Sequence, residues 1–238
     1  MNSIVLGSRA RRRRYYFVAA LFATAVIFAG FAPSFYLRAF FDRPELSALK
    51  VVHGIVFSGW LALFVTQTWL IASDRRDIHR TLGIAGVLLV SAMSVVGYLL
   101  AVDSGRRGFT PDSKVTPLSF MAIPLFDLGV FIVLVGSALL LRRRSEWHKR
   151  LMLLATLSLL PPAIARIAMQ FPSAPVLPLA FGGAALIVLA AIVIDSAAHR
   201  RLHPAMLWGG LFFLISLPAR ILIAGTQAWQ NLAGWMIS

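Results

Sequence analysis

The chain contains no cysteine. Disulfides, thiol catalysis, iron–sulfur clusters and thiolate metal sites are therefore excluded. Acidic residues are also scarce, with 9 aspartates and glutamates against 23 lysines and arginines. Only 13% of the residues are charged while 59% are hydrophobic, a composition too apolar for a soluble domain of 238 residues.

Long apolar runs separated by short polar connectors fill almost the whole sequence. Each run is long enough to cross the hydrocarbon core of a bilayer, which needs roughly 20 apolar residues per helix. We therefore predict an all-α, polytopic membrane helix bundle with seven transmembrane helices. A basic tail, residues 1–14, precedes a single membrane domain, residues 15–238. The predicted spans are 15–41, 47–72, 78–102, 117–141, 147–171, 174–198 and 204–229. No enzyme signature and no internal repeat is found in them.

Most basic residues lie near one end of the predicted helices. Because loops rich in lysine and arginine stay in the cytoplasm, this pattern predicts a cytoplasmic N-terminus and an external C-terminus. The protein is thus expected in the inner membrane of a bacterium. The net charge of +14 is explained by topology and by contact with anionic headgroups, so nucleic acid is not an expected partner. The clusters are Arg9, Arg11, Arg12, Arg13 and Arg14; Arg75, Arg76 and Arg80; Arg142, Arg143, Arg144, Lys149 and Arg150; and Arg200 and Arg201.

Several ionisable side chains lie inside the predicted spans, at compatible depths in the outer half of the bilayer. Asp127 is the most informative, because an aspartate at mid-membrane costs on the order of 3 kcal/mol and is too short to reach water. We expect it to face the bundle interior and to pair with Arg166, Arg220 or His53. One arginine would then remain for a carboxylate or phosphate group of a ligand. The alternative is a purely structural aspartate–arginine pair.

A second pattern extends this candidate site. His53, Trp60 and Gln67 recur every seven residues, which places them on one face of a helix. Tyr36 and Arg38 cap the first span on the same side of the membrane as His53. The predicted ligand-binding residues are therefore Tyr36, Arg38, His53, Trp60, Gln67, Asp127, Arg166 and Arg220.

Other histidines lie at the cytoplasmic helix ends. His79, His148 and His203 are candidate ligands for a divalent metal or for haem, and Asp195 and His199 lie nearby in sequence. Zinc and non-haem iron take three such ligands plus water. Pro204 indicates a turn between His199 and His203, so these two do not share a helix face. The alternative role of these histidines is anchoring at the lipid headgroups.

Several motifs carry a resemblance. The chain is similar to an uncharacterised family of small bacterial multi-pass membrane proteins, a likeness that implies the fold and no role for any residue. A local stretch, His79-Arg80-Thr81-Leu82-Gly83, also resembles cytochrome b561-type helices, although the paired histidines of such proteins are lacking. The motifs of the main likeness are Pro33-Ser34-Phe35-Tyr36-Leu37-Arg38, His53-Gly54 through Phe57-Ser58-Gly59-Trp60 to Gln67, the same His79-Arg80-Thr81-Leu82-Gly83, Ile123-Pro124-Leu125-Phe126-Asp127, and His148-Lys149-Arg150-Leu151-Met152-Leu153-Leu154-Ala155-Thr156.

Three functional hypotheses follow. In the first, the protein binds, senses or moves a small anionic or lipid-like ligand through the buried polar site. In the second, it is a membrane oxidoreductase or metalloenzyme that uses haem or a histidine-bound metal. In the third, it is an accessory or assembly subunit whose partner is another membrane protein. The sequence does not indicate an oligomeric state.

Overall fold

The computed structural model describes residues 2–109 and 115–238, with side chains from residue 14 onward. The described residues form helices, and seven spans are long and apolar enough to cross a membrane. The structure therefore confirms an all-α integral membrane bundle. The helices are α1 (Asn2–Phe31), α2 (Ala48–Ala72), α3 (Arg76–Arg106), α4 (Pro117–Leu140), α5 (Ser145–Leu157), α6 (Pro161–Ala168), α7 (Val176–His199), α8 (Pro204–Ala224) and α9 (Gln227–Ile237).

Three predicted spans differ from the observed helices. The first ends as an α-helix at Phe31 and continues as a π-helical turn, Ala32–Tyr36, rather than as helix to residue 41. The fifth divides into α5 and α6, because Pro161 and Pro162 lack the amide protons that would continue the helix. The seventh ends at Ala224 and not at residue 229, and the following residues form the separate helix α9.

The broken fifth span lies at the centre of the bundle. α5 packs against α1, α4, α7 and α8, and α6 packs against α1 and α7. The facing residues are mostly leucine and alanine, and Leu153, Leu154 and Ala155 are fully buried. By contrast α3 is peripheral, packing against α2, α4 and α9, and presents much of its apolar surface outward. This is the pattern expected of a helix facing lipid.

The short helix α9 covers one end of the bundle. Its Trp229 is buried, and the indole Nε1 donates to the carbonyl of Leu118 at 2.8 Å. Gln230 donates to the carbonyl of Ala224 at 2.7 Å, and Arg106 donates to the carbonyl of Ile237 at 3.0 Å. Trp229 therefore belongs to the packing of the fold rather than to an exposed aromatic belt. α9 closes the bundle over the ends of α3, α4 and α8.

Contacts between helix ends define two faces of the bundle. We call the end carrying the four arginine-rich clusters the basic face. The other end, which carries α9 and the α1–α2 connection, is called the opposite face. Arg166 lies two residues before the end of α6 and so belongs to the opposite face.

A close backbone approach fixes α1 against α6. A Cβ added at Gly30 would lie 2.4 Å from the carbonyl oxygen of Ala163, and Ala163 is itself fully buried. Small residues allow membrane helices to approach in this way, since lipid supplies no hydrophobic driving force for helix association. The contact positions Phe31, which follows Gly30, beside the residues of α6.

We predict that Gly30→Ala lowers the free energy of unfolding by about 1–3 kcal/mol, because backbone atoms cannot move aside as a flexible side chain would. Gly136→Ala in α4 is the matched control, since no atom lies within 4 Å of its added Cβ. The measurement is unfolding of the detergent-solubilised protein with sodium dodecyl sulfate. Equal stability of the two variants would show that the α1–α6 approach is not tight.

Candidate functional site

Asp127 and Arg220 form a buried ion pair between α4 and α8. Nη1 of Arg220 donates to Oδ1 of Asp127, and the two residues are 0% and 5% exposed respectively. The remaining contacts of Arg220 are local: Nε donates to the carbonyl of Ser216 and Nη2 to its hydroxyl, both at 3.0 Å. The guanidinium also lies 5.3 Å from the ring centroid of Phe181. Of the three partners considered for Asp127, the structure selects Arg220.

This pair is closed to ligands. All three nitrogens of the Arg220 guanidinium are engaged, and α9 lies over the end of α8 only four residues beyond Arg220. The expected single cluster around Asp127 is therefore not observed, because Arg166 forms neither a hydrogen bond nor an ion pair with it. Arg220 and Asp127 have the geometry of a structural pair, with Oδ2 of Asp127 buried and unpartnered.

Arg166 has a different environment on α6. Its Nη1 donates to the carbonyl of Pro162 at 3.1 Å, one turn earlier in the helix. The guanidinium lies over the ring of Phe31, 4.2 Å from the ring centroid, in cation–π geometry. No described residue supplies a carboxylate or a second hydrogen bond to it. Arg166 is partly buried, so it holds a charge that the protein leaves uncompensated.

His53 of α2 lies close enough to Arg166 to interact with it electrostatically. Its ring stacks on Phe57 with centroids 4.0 Å apart, and its Nδ1 is buried without a hydrogen-bond partner. The first span reaches the same region, where the Tyr36 hydroxyl lies 2.8 Å from Oγ of Ser58. We call Phe31, His53 and Arg166 the Arg166 site.

The other predicted ligand-binding residues are not part of this site. Arg38 is turned toward its own connector, where Nη2 donates to the carbonyl of Arg43 at 3.0 Å. Trp60 is buried in the core against Phe131, with ring centroids 5.1 Å apart. Gln67 lies at the other end of α2 and donates to the carbonyl of His79 at 3.2 Å. The seven-residue stripe runs the length of a helix, so its members occupy different depths.

The basic face contains a network that the sequence analysis did not identify. Arg150 of α5 is 1% exposed and Asp195 of α7 is 0% exposed, and Nε of Arg150 donates to Oδ2 of Asp195 at 2.7 Å. Tyr16 of α1 donates its hydroxyl to Oδ1 of the same aspartate at 3.0 Å. Glu146, one turn before Arg150, accepts a further bond from Nη1 at 2.5 Å. One buried carboxylate thus joins three helices.

The candidate metal ligands divide into separate groups. His79 and His148 face each other across α3 and α5, with ring centroids 6.4 Å apart. His203 instead contacts Trp147 and caps α8, while His199 is held by the carbonyl of Asp195 at 2.8 Å. No group of three or more histidine, aspartate or glutamate side chains with metal-binding geometry is found in the described part of the chain. The expected turn between His199 and His203 is confirmed, because α7 ends at the first and α8 begins after the second.

Comparison of the chain with models of protein families, with curated proteins and with solved structures finds no match. The function of the protein is therefore inferred from its residues and their geometry.

The Asp127–Arg220 pair predicts an asymmetric pattern of stability loss. Asp127→Leu should lower the free energy of unfolding by about 3–5 kcal/mol, because the buried guanidinium cannot release its proton. Arg220→Met should cost less, since the remaining carboxyl can become neutral by binding a proton. The double variant should recover most of the loss, as apolar replacements of buried pairs often do. Unfolding in mixed micelles measures all three, and simple additivity of the two single losses would contradict the pairing.

The cap of α8 predicts a dependence of stability on pH. Nδ1 of His203 accepts the amide proton of Ala205 at 3.1 Å, so the imidazole must be neutral there. Burial lowers the pKa of His203 below its ordinary value of 6.5, and the charge of Arg150 lowers it further. The unfolded chain therefore binds the proton more readily, and stability is lost as the pH falls below about 6.5.

We expect the loss to be about 1 kcal/mol, the usual contribution of a helix cap. Thermal unfolding at a series of pH values from neutral to mildly acidic measures it. Asparagine also caps helices but does not titrate, so His203→Asn should reduce the slope. An unchanged slope in that variant would assign the pH dependence to another group.

Proposed function

We propose that this membrane protein binds the anionic group of a small molecule or lipid through Arg166 at the opposite face. The observation that supports the proposal is the uncompensated charge of Arg166. Its guanidinium is partly buried and rests on Phe31, yet it has one hydrogen bond, to a backbone carbonyl. By contrast Arg150 and Arg220, which are almost completely buried, are each paired with a buried aspartate.

The geometry suits a carboxylate or a phosphate. The planar guanidinium of arginine can donate two parallel hydrogen bonds to one carboxylate or phosphate group. Such charge-assisted hydrogen bonds are stronger than those between neutral groups. Phe31 covers one surface of the guanidinium and limits its side-chain freedom, so less entropy is lost on binding. His53 adds an imidazole with a free Nδ1 beside the same charge.

The ligand reaches this site from the membrane interface. Arg166 lies two residues, roughly 3 Å along the axis, before the end of α6. That depth is accessible to a lipid headgroup and to a small anion dissolved in water. We further propose that the basic face is cytoplasmic, as the positive-inside rule indicates. The Arg166 site would then open toward the outer leaflet.

We predict that Arg166→Gln weakens anion binding at least tenfold, because charge-assisted hydrogen bonds contribute about 1.5–3 kcal/mol. The probes are inorganic phosphate and a short-chain phosphatidylglycerol, with phosphatidylcholine as the uncharged comparison. The shift of the unfolding temperature of detergent-purified protein with probe concentration gives each affinity. Arg106→Gln is the matched control, because Arg106 also lies on the opposite face and also donates to one backbone carbonyl.

The two probes distinguish the source of the ligand. Stabilisation by phosphate alone indicates a free anion, and stabilisation by phosphatidylglycerol with none by phosphatidylcholine indicates a lipid headgroup. Either result supports the proposal if Arg166→Gln removes the effect and Arg106→Gln keeps it. Equal stabilisation of the wild type and of Arg166→Gln by both probes would overturn it.

A further inference from the structure

The basic face carries a second set of polar groups that the proposed function does not use. These groups are His79 of α3, His148 of α5 and Gln67 of α2. They lie on three different helices and at the membrane face away from Arg166. We call them the histidine pair and its glutamine.

The protonation of His148 is fixed by the backbone. Its Nδ1 lies 2.9 Å from the carbonyl oxygen of Ala138 at the end of α4. Because a carbonyl only accepts, Nδ1 carries a proton, and in the neutral imidazole Nε2 then presents a lone pair. No described residue donates to that nitrogen. Histidines that bind metals are held in this way, with the second ring nitrogen bonded to a carbonyl or carboxylate.

His79 and Gln67 each leave a polar atom unpartnered. The Nδ1 of His79 is buried and has no hydrogen-bond partner. The amide of Gln67 is oriented by its bond to the carbonyl of His79, which leaves its Oε1 buried and also without a partner. Burial of an unsatisfied polar atom costs about 1–3 kcal/mol, so two such atoms on residues in direct contact need an explanation.

The spacing of the histidine pair lies at the upper limit for two imidazoles that share one metal ion. With a metal–nitrogen distance of about 2.0–2.1 Å, each ring centroid lies roughly 3.2 Å from the ion. Two imidazoles that share one ion then have centroids at most about 6.4 Å apart, and roughly 5.2 Å apart at a tetrahedral angle. The observed separation is 6.4 Å. Both rings are partly exposed, so side-chain rotation can bring them to the tetrahedral distance.

We propose that His79 and His148, together with the amide oxygen of Gln67, bind a divalent first-row transition-metal ion at the basic face. Two imidazole nitrogens and a neutral oxygen suit Zn²⁺, Co²⁺ or Cu²⁺ better than Mg²⁺ or Ca²⁺, which prefer oxygen ligands. Three protein ligands leave a coordination position open to water or to another molecule. His203 is excluded from the site, because its Nδ1 caps α8 and its ring contacts Trp147.

Cobalt provides the test. The full-length chain is purified in detergent without a histidine tag and titrated with Co²⁺, whose visible absorption reports binding and coordination. We expect saturable binding of one ion, displaced by Zn²⁺, which binds such sites more tightly. His79→Phe and His148→Phe keep the ring but remove its nitrogens, and each should weaken binding more than tenfold. Gln67→Leu keeps both imidazoles and should weaken binding several-fold.

The control is His203→Asn, which removes an imidazole from the same face but retains a helix cap, so its cobalt affinity should equal that of the wild type. Circular dichroism without metal shows whether each variant is folded. If a phenylalanine variant does not fold, Gln67→Leu and His203→Asn still decide between the sites. Unchanged cobalt affinity in Gln67→Leu and in the folded phenylalanine variants overturns the proposal, as does loss of binding in His203→Asn. Since no residue is shared with the Arg166 site, the two proposals fail independently.

Discussion

The exclusion of water from the hydrocarbon core is the constraint on which the arrangement of charged groups in this protein depends. A buried charge there must find a partner within the protein. Asp127 and Arg220 meet from positions 93 residues apart, and Arg150 meets Asp195 from a position 45 residues away. The first contact joins the fourth and seventh spans, and the second joins the fifth and sixth spans. The two pairs therefore favour one order of helices around the central fifth span over other apolar packings.

Pairing also separates the structural charges from those available for function. Once Arg150 and Arg220 are matched with aspartates, Arg166 is left as a partly buried arginine that no carboxylate of the described residues neutralises. The same reasoning applies to the histidines. His199 and His203 each make a backbone hydrogen bond through Nδ1, whereas Nδ1 of His79 is buried without a hydrogen-bond partner. Arg166 and His79, the groups left without these partners, lie near the two opposite membrane faces.

Much of this could be read from the sequence. The lengths of the apolar runs predicted seven spans, although they did not show that Pro161 and Pro162 divide the fifth span into two helices. The free-energy cost of burying a carboxylate in the membrane predicted that Asp127 pairs with a basic residue, but it did not identify that residue. Which side chains pair depends on how each helix is rotated about its axis and on which helices are neighbours in the bundle. Counting residues along one helix determines neither. The same cost argument applied to Asp195, inside an apolar run, would have predicted a partner for it as well.

Two further points concern depth in the membrane. Counting in sevens places Gln67 and His53 on one helix face, but residues fourteen apart are separated by roughly 21 Å along the axis, so the two side chains lie near opposite ends of α2. In the same way, hydropathy extended the seventh span through Trp229, because an amphipathic helix lying over the bundle is also rich in apolar residues. Periodicity reports the direction of a side chain, and hydropathy reports burial. Neither reports depth or the point at which a helix turns.

The interior between the two faces favours binding over passage through the bundle. Trp60, Phe64 and Phe131 are buried in contact with one another in the middle of the membrane. The Asp127–Arg220 pair is enclosed by Phe126 and Phe181 and covered by α9. Within the described part of the chain, no series of hydrogen bonds connects the Arg166 site to the histidine pair. A solute moving between the faces would have to displace this aromatic core. A protein that holds ligands separately at each membrane face, and senses or retains them there, requires no such rearrangement.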